Sequence, residues 1–243
     1  MNLPIKHLAV LVAAFFSANV YATQITTVID NWTTGQTLPA ENETSTSTVN
    51  SPGSVGDFRT MELVSFGNEE DAETRLVVST TSNRLILNTP EGPTPSFKIT
   101  WGGATGTSLG GFDFGAGQTL DLFTSLLVFS LRSADLESNF TWKFTDTLAN
   151  TATYTGTFPI HSSSDAPLAF DIALSSFANA SSVNWNSIDL IVFSGGDVQG
   201  LDLSMPSPIQ MVATVPEPRT WALLAAGLGV VAFAVHRRNR RSA

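Results

Sequence analysis

An all-β fold, an antiparallel β-sandwich, is what the central part of this 243-residue chain predicts. Three observations carry the expectation. Short apolar–polar alternations recur between turn residues, Ser, Thr, Val and Phe dominate them, and long Leu/Ala/Glu/Lys-rich runs are absent. Residues 25–32 open the pattern, and 61–66, 76–80 and 85–87 continue it. Phe97, Ile99 and Trp101 stand at alternate positions, so all three face one side of a strand. After a run at 126–131, Phe140, Trp142 and Phe144 repeat the pattern, with Thr141, Lys143 and Thr145 on the wetter face. Residues 151–158 follow, then the alternating sets Phe170/Ile172/Leu174, Ile188/Leu190/Val192 and Leu201/Leu203/Met205. The tally is about eleven strands with turn signals between them, the pattern of a sandwich.

Three stretches read as loops. Residues 41–56 (ENETSTSTVNSPGSVG) are the most polar, and they predict a solvated connection with at most a poor edge strand at 44–50. Their Ser/Thr density would suit O-linked sugars, but a plain loop is the expectation. Residues 88–95, with Pro90, Gly92, Pro93 and Pro95, form a loop that no strand should cross. The glycine-rich 102–117 is the third.

Both termini depart from this pattern. Residues 1–22 read as a secretory signal peptide: Lys6 and His7 supply a basic start, 8–16 an apolar stretch, and cleavage is expected after Ala22. The other end, 215–243, has three parts in a fixed order. Pro216-Glu217-Pro218 is followed by an uncharged apolar run at 221–235, then by Arg237, Arg238, Arg240 and Arg241. As a transmembrane helix the run would measure about 22 Å, short of a hydrocarbon core of about 30 Å. The Arg cluster should stay cytoplasmic and leave the preceding chain outside.

This order of tripeptide, short helix and terminal arginines resembles the PEP-CTERM sorting signal of Gram-negative bacteria. The resemblance implies that a membrane enzyme, exosortase, recognises the signal and processes the protein near Pro216-Glu217-Pro218. It also implies a transient stay in the inner membrane, then release to the cell surface or outside. The domain organisation is therefore a signal peptide (1–22), a β-sandwich ectodomain (23–214) and a sorting signal (215–243). The ectodomain is similar to jelly-roll sandwiches of the galactose-binding and carbohydrate-binding-module type. That likeness is carried by an opening strand with Asp30 (VIDNW), by Gly56-Asp57-Phe58-Arg59 leading into a strand, and by a closing pair at 187–193 and 201–205.

Charge narrows the partners. Residues 23–215 hold six basic residues (Arg59, Arg75, Arg84, Lys98, Arg132, Lys143) against 20 of the 21 acids, a formal charge of −14, while the whole chain stands at −9. An acidic exterior excludes nucleic acid, which requires clustered Lys and Arg. The chain has no cysteine, which removes disulfides, thiol nucleophiles and thiolate metal sites.

Catalytic patterns are sparse. His161 is the one histidine of the exported part, beside Ser162, Ser163 and Ser164, and Asp165 or another acid could orient it. No Gly-x-Ser-x-Gly elbow is present, so an exposed turn is the expectation. Glu69, Glu70, Asp71 and Glu73 read as a solvated charge run. Asp113, between Phe112 and Phe114, reads as a turn aspartate. The jelly-roll resemblance implies a structural calcium in some relatives, for which Asp30, Asp197 and Asp202 are the candidates by position. No calcium-loop spacing supports them, and no metal or cofactor is assigned. Trp32 and Trp185 are the tryptophans least clearly directed to the core, and thus the candidate sugar platforms. Trp101 and Trp142 should be buried. The function expected is a non-enzymatic, exported surface or matrix protein associated with exopolysaccharide or biofilm. The alternatives are a carbohydrate-binding module acting on that polysaccharide and, further off, a secreted glycan hydrolase or lyase.

Overall fold

The computed structural model describes residues 22–40, 43–67, 73–103, 108–215, 227–229 and 231. The signal peptide before Ala22, the Pro216-Glu217-Pro218 motif, most of the 221–235 run and the arginine cluster at 237–241 lie outside them. Among the described residues no helix is long and apolar enough to cross a membrane.

The fold is all-β. Its strands are β1 (Thr23–Asp30), β2 (Gln36–Ala40), β3 (Glu43–Asn50), β4 (Phe58–Phe66), β5 (Thr74–Ser79), β6 (Arg84–Asn88), β7 (Thr94–Trp101) and β8 (Leu126–Leu131). Then come β9 (Ser133–Ala134), β10 (Ser138–Asp146), β11 (Thr151–Phe158), β12 (Leu168–Ala173), β13 (Ile188–Gly196), β14 (Leu203–Pro206) and β15 (Ile209–Val215). They pair into a six-stranded sheet, β11-β10-β13-β7-β4-β3, a four-stranded sheet, β1-β15-β8-β12, and a five-stranded sheet, β2-β5-β6-β14-β9. The two smaller sheets lie against the six-stranded one and are joined where the Arg132 N–H donates to the Ser204 carbonyl.

Alternation builds the core. Phe140, Trp142 and Phe144 of β10, and Phe97, Ile99 and Trp101 of β7, all point inward and are buried. Phe129 of β8 meets Phe140 edge-on at 5.6 Å, and Trp142 stacks on Phe193 at 4.5 Å and on Trp101 at 5.7 Å. Each such pair adds about 0.5–1.5 kcal/mol beyond its area. One charged cluster is buried with these rings. The Arg59 guanidinium donates to Asp30 Oδ2 at 2.9 Å, to Gln36 Oε1 at 2.9 Å and to the Thr34 carbonyl at 2.5 Å. Asp30 also accepts the Trp101 indole N–H and the Trp32 amide, both at 2.8 Å. Both Asp30 carboxylate oxygens and all three guanidinium nitrogens of Arg59 thus find partners, which is the condition for keeping an ion pair inside.

Each of the eleven expected strands corresponds to a strand of the fold, but several local expectations need correction. At 43–50 the plain loop gives way to the edge strand that was the lesser expectation at 44–50: β3 pairs with β4 along its whole length, from Glu43–Ser65 to Asn50–Phe58. It is an edge strand whose outward side is solvated, so it needs no apolar alternation. Pro95 lies inside β7, near its start. Its backbone faces the end of β13, where only its carbonyl is used, accepting the Asp197 N–H at 2.7 Å, so the missing proline N–H breaks no ladder bond. The set Ile188/Leu190/Val192 does not share a face. A bulge opposite Thr145 and Asp146 shifts the register, after which Ile191 and Phe193 point inward. Nor do β13 and β14 close the fold as a pair, since they belong to different sheets. β2, β9 and β15 have no counterpart in the pattern read from the sequence.

Candidate functional site

Inward-facing rings on β7, β10 and β13 leave the intervening residues on the outer face of the six-stranded sheet, and the register sets them in rows. One row runs Thr46, Glu62, Lys98, Ser194, Thr141, Thr155 across β3, β4, β7, β13, β10 and β11. The next runs Thr48, Thr60, Thr100, Val192, Lys143, Thr153. Hydroxyls bond across the strands, Thr48 to Thr60 at 2.8 Å and Thr141 to Thr155 at 3.3 Å. The face is therefore a carpet of hydroxyls with few charges.

A cavity of about 270 Å³ opens on this face, lined by Glu62, Ser96, Lys98, Asn139, Thr141, Ser194 and Asp197 among others. Lys98 Nζ holds Glu62 Oε2 at 2.6 Å, so these two charges cancel locally. Asn139 Oδ1 accepts the Thr157 hydroxyl at 3.2 Å. Gly196, with φ 109°, shapes the rim: a Cβ there would fall 2.4 Å from the Pro95 carbonyl oxygen, so only glycine lets β13 turn so closely over β7. Chemically the cavity offers hydroxyls, one amide, a neutralised ion pair and one further carboxylate, a set suited to hydrogen-bonding a polar ligand.

The residues singled out from the sequence fall elsewhere, with one exception. Trp32 is fully buried, tilted against Trp101 at 6.2 Å with the Arg59 guanidinium 5.3 Å from its ring centroid. Trp185 is 5 % exposed, and its indole N–H donates to the Ala180 carbonyl at 2.9 Å. Neither is a sugar platform. For Trp32 the cause is local: its φ of 54° and its amide bond to Asp30 swing the ring inward, which periodicity cannot reveal. The calcium candidates are engaged separately. Asp30 is spent on Arg59, and the Asp202 carboxylate accepts the Thr89 N–H at 2.7 Å. Asp197 alone lines the cavity. Among the described residues no group of three or more His, Cys, Asp or Glu side chains could hold a metal ion.

His161 sits in a backbone bridge with Ala134, and its Nε2 lies 3.0 Å from the Ala166 carbonyl, while the Ser162 and Ser164 hydroxyls bond each other at 2.8 Å. These contacts describe a turn. Asp113 accepts the Gly115 and Gly117 amides at 2.8 and 2.5 Å and holds the glycine-rich loop. Glu73 pairs with Arg75 at 2.6 Å, while Glu69, Glu70 and Asp71 lie outside the described residues. Ser96, Asn139 and Ser194 were missed as site residues. Their signal was indirect: each neighbours a buried ring (Phe97, Phe140, Phe193) and so must face out.

Comparison with known proteins separates the tail from the sandwich. A family model described as the PEP-CTERM protein-sorting motif matches residues 214–239. The chain carries a PEP-CTERM sorting motif. This motif indicates export and exosortase-dependent sorting toward the cell surface. The match begins at Thr214, so the PEP-CTERM segment starts within the last residues of β15. No curated protein matches the chain in sequence. Among solved structures, a family 11 carbohydrate-binding module of a Clostridium thermocellum cellulase aligns at 12 % identity and TM-score 0.36, over 82 % of this chain and 98 % of that one. A carbohydrate-binding module solved with β-1,4-galactotriose aligns at 8 % identity and TM-score 0.29, over 74 % and 89 %. An exo-β-agarase aligns at 9 % identity and TM-score 0.38, over 71 % of this chain and 24 % of that one.

Proposed function

We propose that the chain is a non-enzymatic surface or matrix protein, exported as a precursor and matured by an exosortase-like enzyme acting near Pro216-Glu217-Pro218, in a setting of exopolysaccharide or biofilm. The PEP-CTERM motif at 214–239 is the observation that carries this reading. Its test is mass spectrometry of the mature C-terminus in the native host. A terminus near residue 216 is expected, and an intact Ala243 on the surface form would overturn the processing step.

A second reading makes the sandwich itself a polysaccharide-binding module, and the cavity on the six-stranded sheet favours it. Sugar hydroxyls need donors and acceptors placed on a rigid support, and a sheet face supplies that better than loops do. Filling the cavity by Ser194→Tyr should abolish retention on a polysaccharide column while the melt stays that of the parent. Unchanged retention would show that the ligand, if any, sits elsewhere. Turnover of a glycan by the purified chain would instead establish an enzyme.

A further inference from the structure

We infer that the cavity selects a glycan bearing free amines, with the Asp197 carboxylate holding an ammonium group. The inference rests on the polysaccharide-binding reading and adds the charge class of the ligand.

Four of the lining side chains, Ser96, Asn139, Thr141 and Ser194, are neutral and can serve sugar hydroxyls in either hydrogen-bonding sense. Glu62 and Lys98 neutralise each other at 2.6 Å. Asp197 therefore sets the sign of the site. It is exposed, it lines the cavity, and among the described residues its carboxylate takes no hydrogen bond or ion pair. Its backbone is held for the position: φ is 63°, a region few residues other than glycine adopt, and its N–H is fixed to the Pro95 carbonyl at 2.7 Å. With Gly196 before it, this geometry turns the chain at the end of β13 and sets the carboxylate on the rim of the cavity.

The consequence is electrostatic. A uronate or sulfate entering the cavity meets an uncompensated carboxylate and the formal −14 charge of the surrounding ectodomain. An ammonium is attracted by both. Phe97 lines the cavity but is only 3 % exposed, so it presents no ring face for a sugar to stack on. Binding then depends on hydrogen bonds and charge, and salt should weaken it.

The test is isothermal titration calorimetry of the full chain in neutral detergent, with three probes of matched length. These are an oligomer of glucosamine, its fully N-acetylated counterpart and an oligomer of uronic acid, in a mildly acidic buffer that keeps the amine charged. The glucosamine oligomer should bind and the uronate should not. Asp197→Asn should weaken the glucosamine oligomer about two- to fivefold, as expected for one exposed ion pair. Asn accepts the left-handed backbone, so the rim should keep its shape. Asp171→Asn removes the same charge from an exposed position on β12 and should change nothing, which separates the site from general attraction to an acidic protein. Equal binding of the uronate, or an Asp197→Asn variant that binds the amine oligomer like the parent, overturns the inference. Equal binding of the N-acetylated oligomer to parent and Asp197→Asn, without preference for the amine, overturns charge selection and leaves the polysaccharide reading standing. Binding of none of the three overturns both for glycans of this kind.

Discussion

Arg59 ties the N-terminal strands to the sheet below them. It is wholly buried, and its guanidinium reaches Asp30 at the end of β1, Thr34 in the following turn and Gln36 in β2. Arg59→Met removes one partner and leaves the Asp30 carboxylate buried without its counter-ion, a loss of about 3–5 kcal/mol. Urea unfolding should show the midpoint falling with an unchanged slope, and a midpoint equal to the parent's would show that the buried Arg59–Asp30 pair does not hold these strands in place. Acid response should be set by two other aspartates of opposite sign. Burial pushes the Asp146 carboxyl up, but bonds from the Asn184, Asn150 and Leu148 amides and the Asn150 side chain outweigh it and hold it below the usual range. Its contribution is present above the ordinary aspartate value and is lost as pH falls through the lowered one. Asp202 is raised, first by burial and then by Asp135, against the pull of the Thr89 N–H. Its protonation favours the folded state, so stability should rise slightly on mild acidification before Asp146 brings it down. In a pH series of melts, Asp202→Asn should remove the rise and Asp146→Asn should flatten the fall, and a monotonic curve in the parent would contradict the pairing. None of this was legible in the sequence. Asp30, Asp146 and Asp202 look alike there, and only the fold decides which is buried and which donors meet it.

At the scale of the element, alternation was a sound guide wherever one face of a strand is packed and the other wet. In β10, Trp142 and Phe144 are fully buried while Lys143 between them is exposed. Trp142→Asp should abolish the cooperative melt, because a charge would enter the aromatic core without a partner, whereas Lys143→Asp should stay within about 0.5 kcal/mol of the parent. Circular dichroism melts decide it, and equal behaviour of the two variants would sink the assignment of faces. Alternation fails where packing does not demand it. β3 showed only as a poor edge strand within an expected loop because a solvated edge tolerates Thr and Ser throughout, and the face of β13 was misread because a bulge inserts one residue. β15 was hidden for another reason: it lies between Pro206, Pro208 and Pro216, where local signals announce turns although the strand is central to its sheet. Glycine also acts at this scale. Gly156 of β11 faces inward beneath the Phe140 ring, and a Cβ would fall 2.5 Å from Cζ of that ring. Phe140 is itself locked against Phe129 and Phe158 and cannot yield, so Gly156→Val should cost about 1–3 kcal/mol despite the higher strand propensity of valine. A stabilised variant would show that the ring can move.

For the whole molecule, the two ends of the chain carry information that the sandwich does not. The tail was the most legible part because sorting is read from linear sequence, whereas the cavity on the sheet is assembled from strands far apart in it and so had no local signature. In the orientation expected from the tail, the acidic ectodomain and the four tail arginines would divide the charge between the two sides of the membrane, as orientation by basic residues requires. Pro216 and Pro218 each fix their own φ and disfavour helix in the residue before them, so Glu217 between them should be held extended. A processing enzyme needs an extended backbone in its cleft, and a helix propagating upward from the apolar run would deny it one. Pro216→Ala combined with Pro218→Ala should therefore leave an unprocessed precursor of full size in the inner membrane, with the sandwich folded as in the parent. Replacing Arg237, Arg238, Arg240 and Arg241 by Gln should act differently, weakening retention and orientation while leaving the tripeptide competent. Fractionation with size analysis distinguishes the two. Maturation and release of the double alanine variant at the parent's rate would mean that the tripeptide is a spacer and that recognition lies in the helix or the arginines.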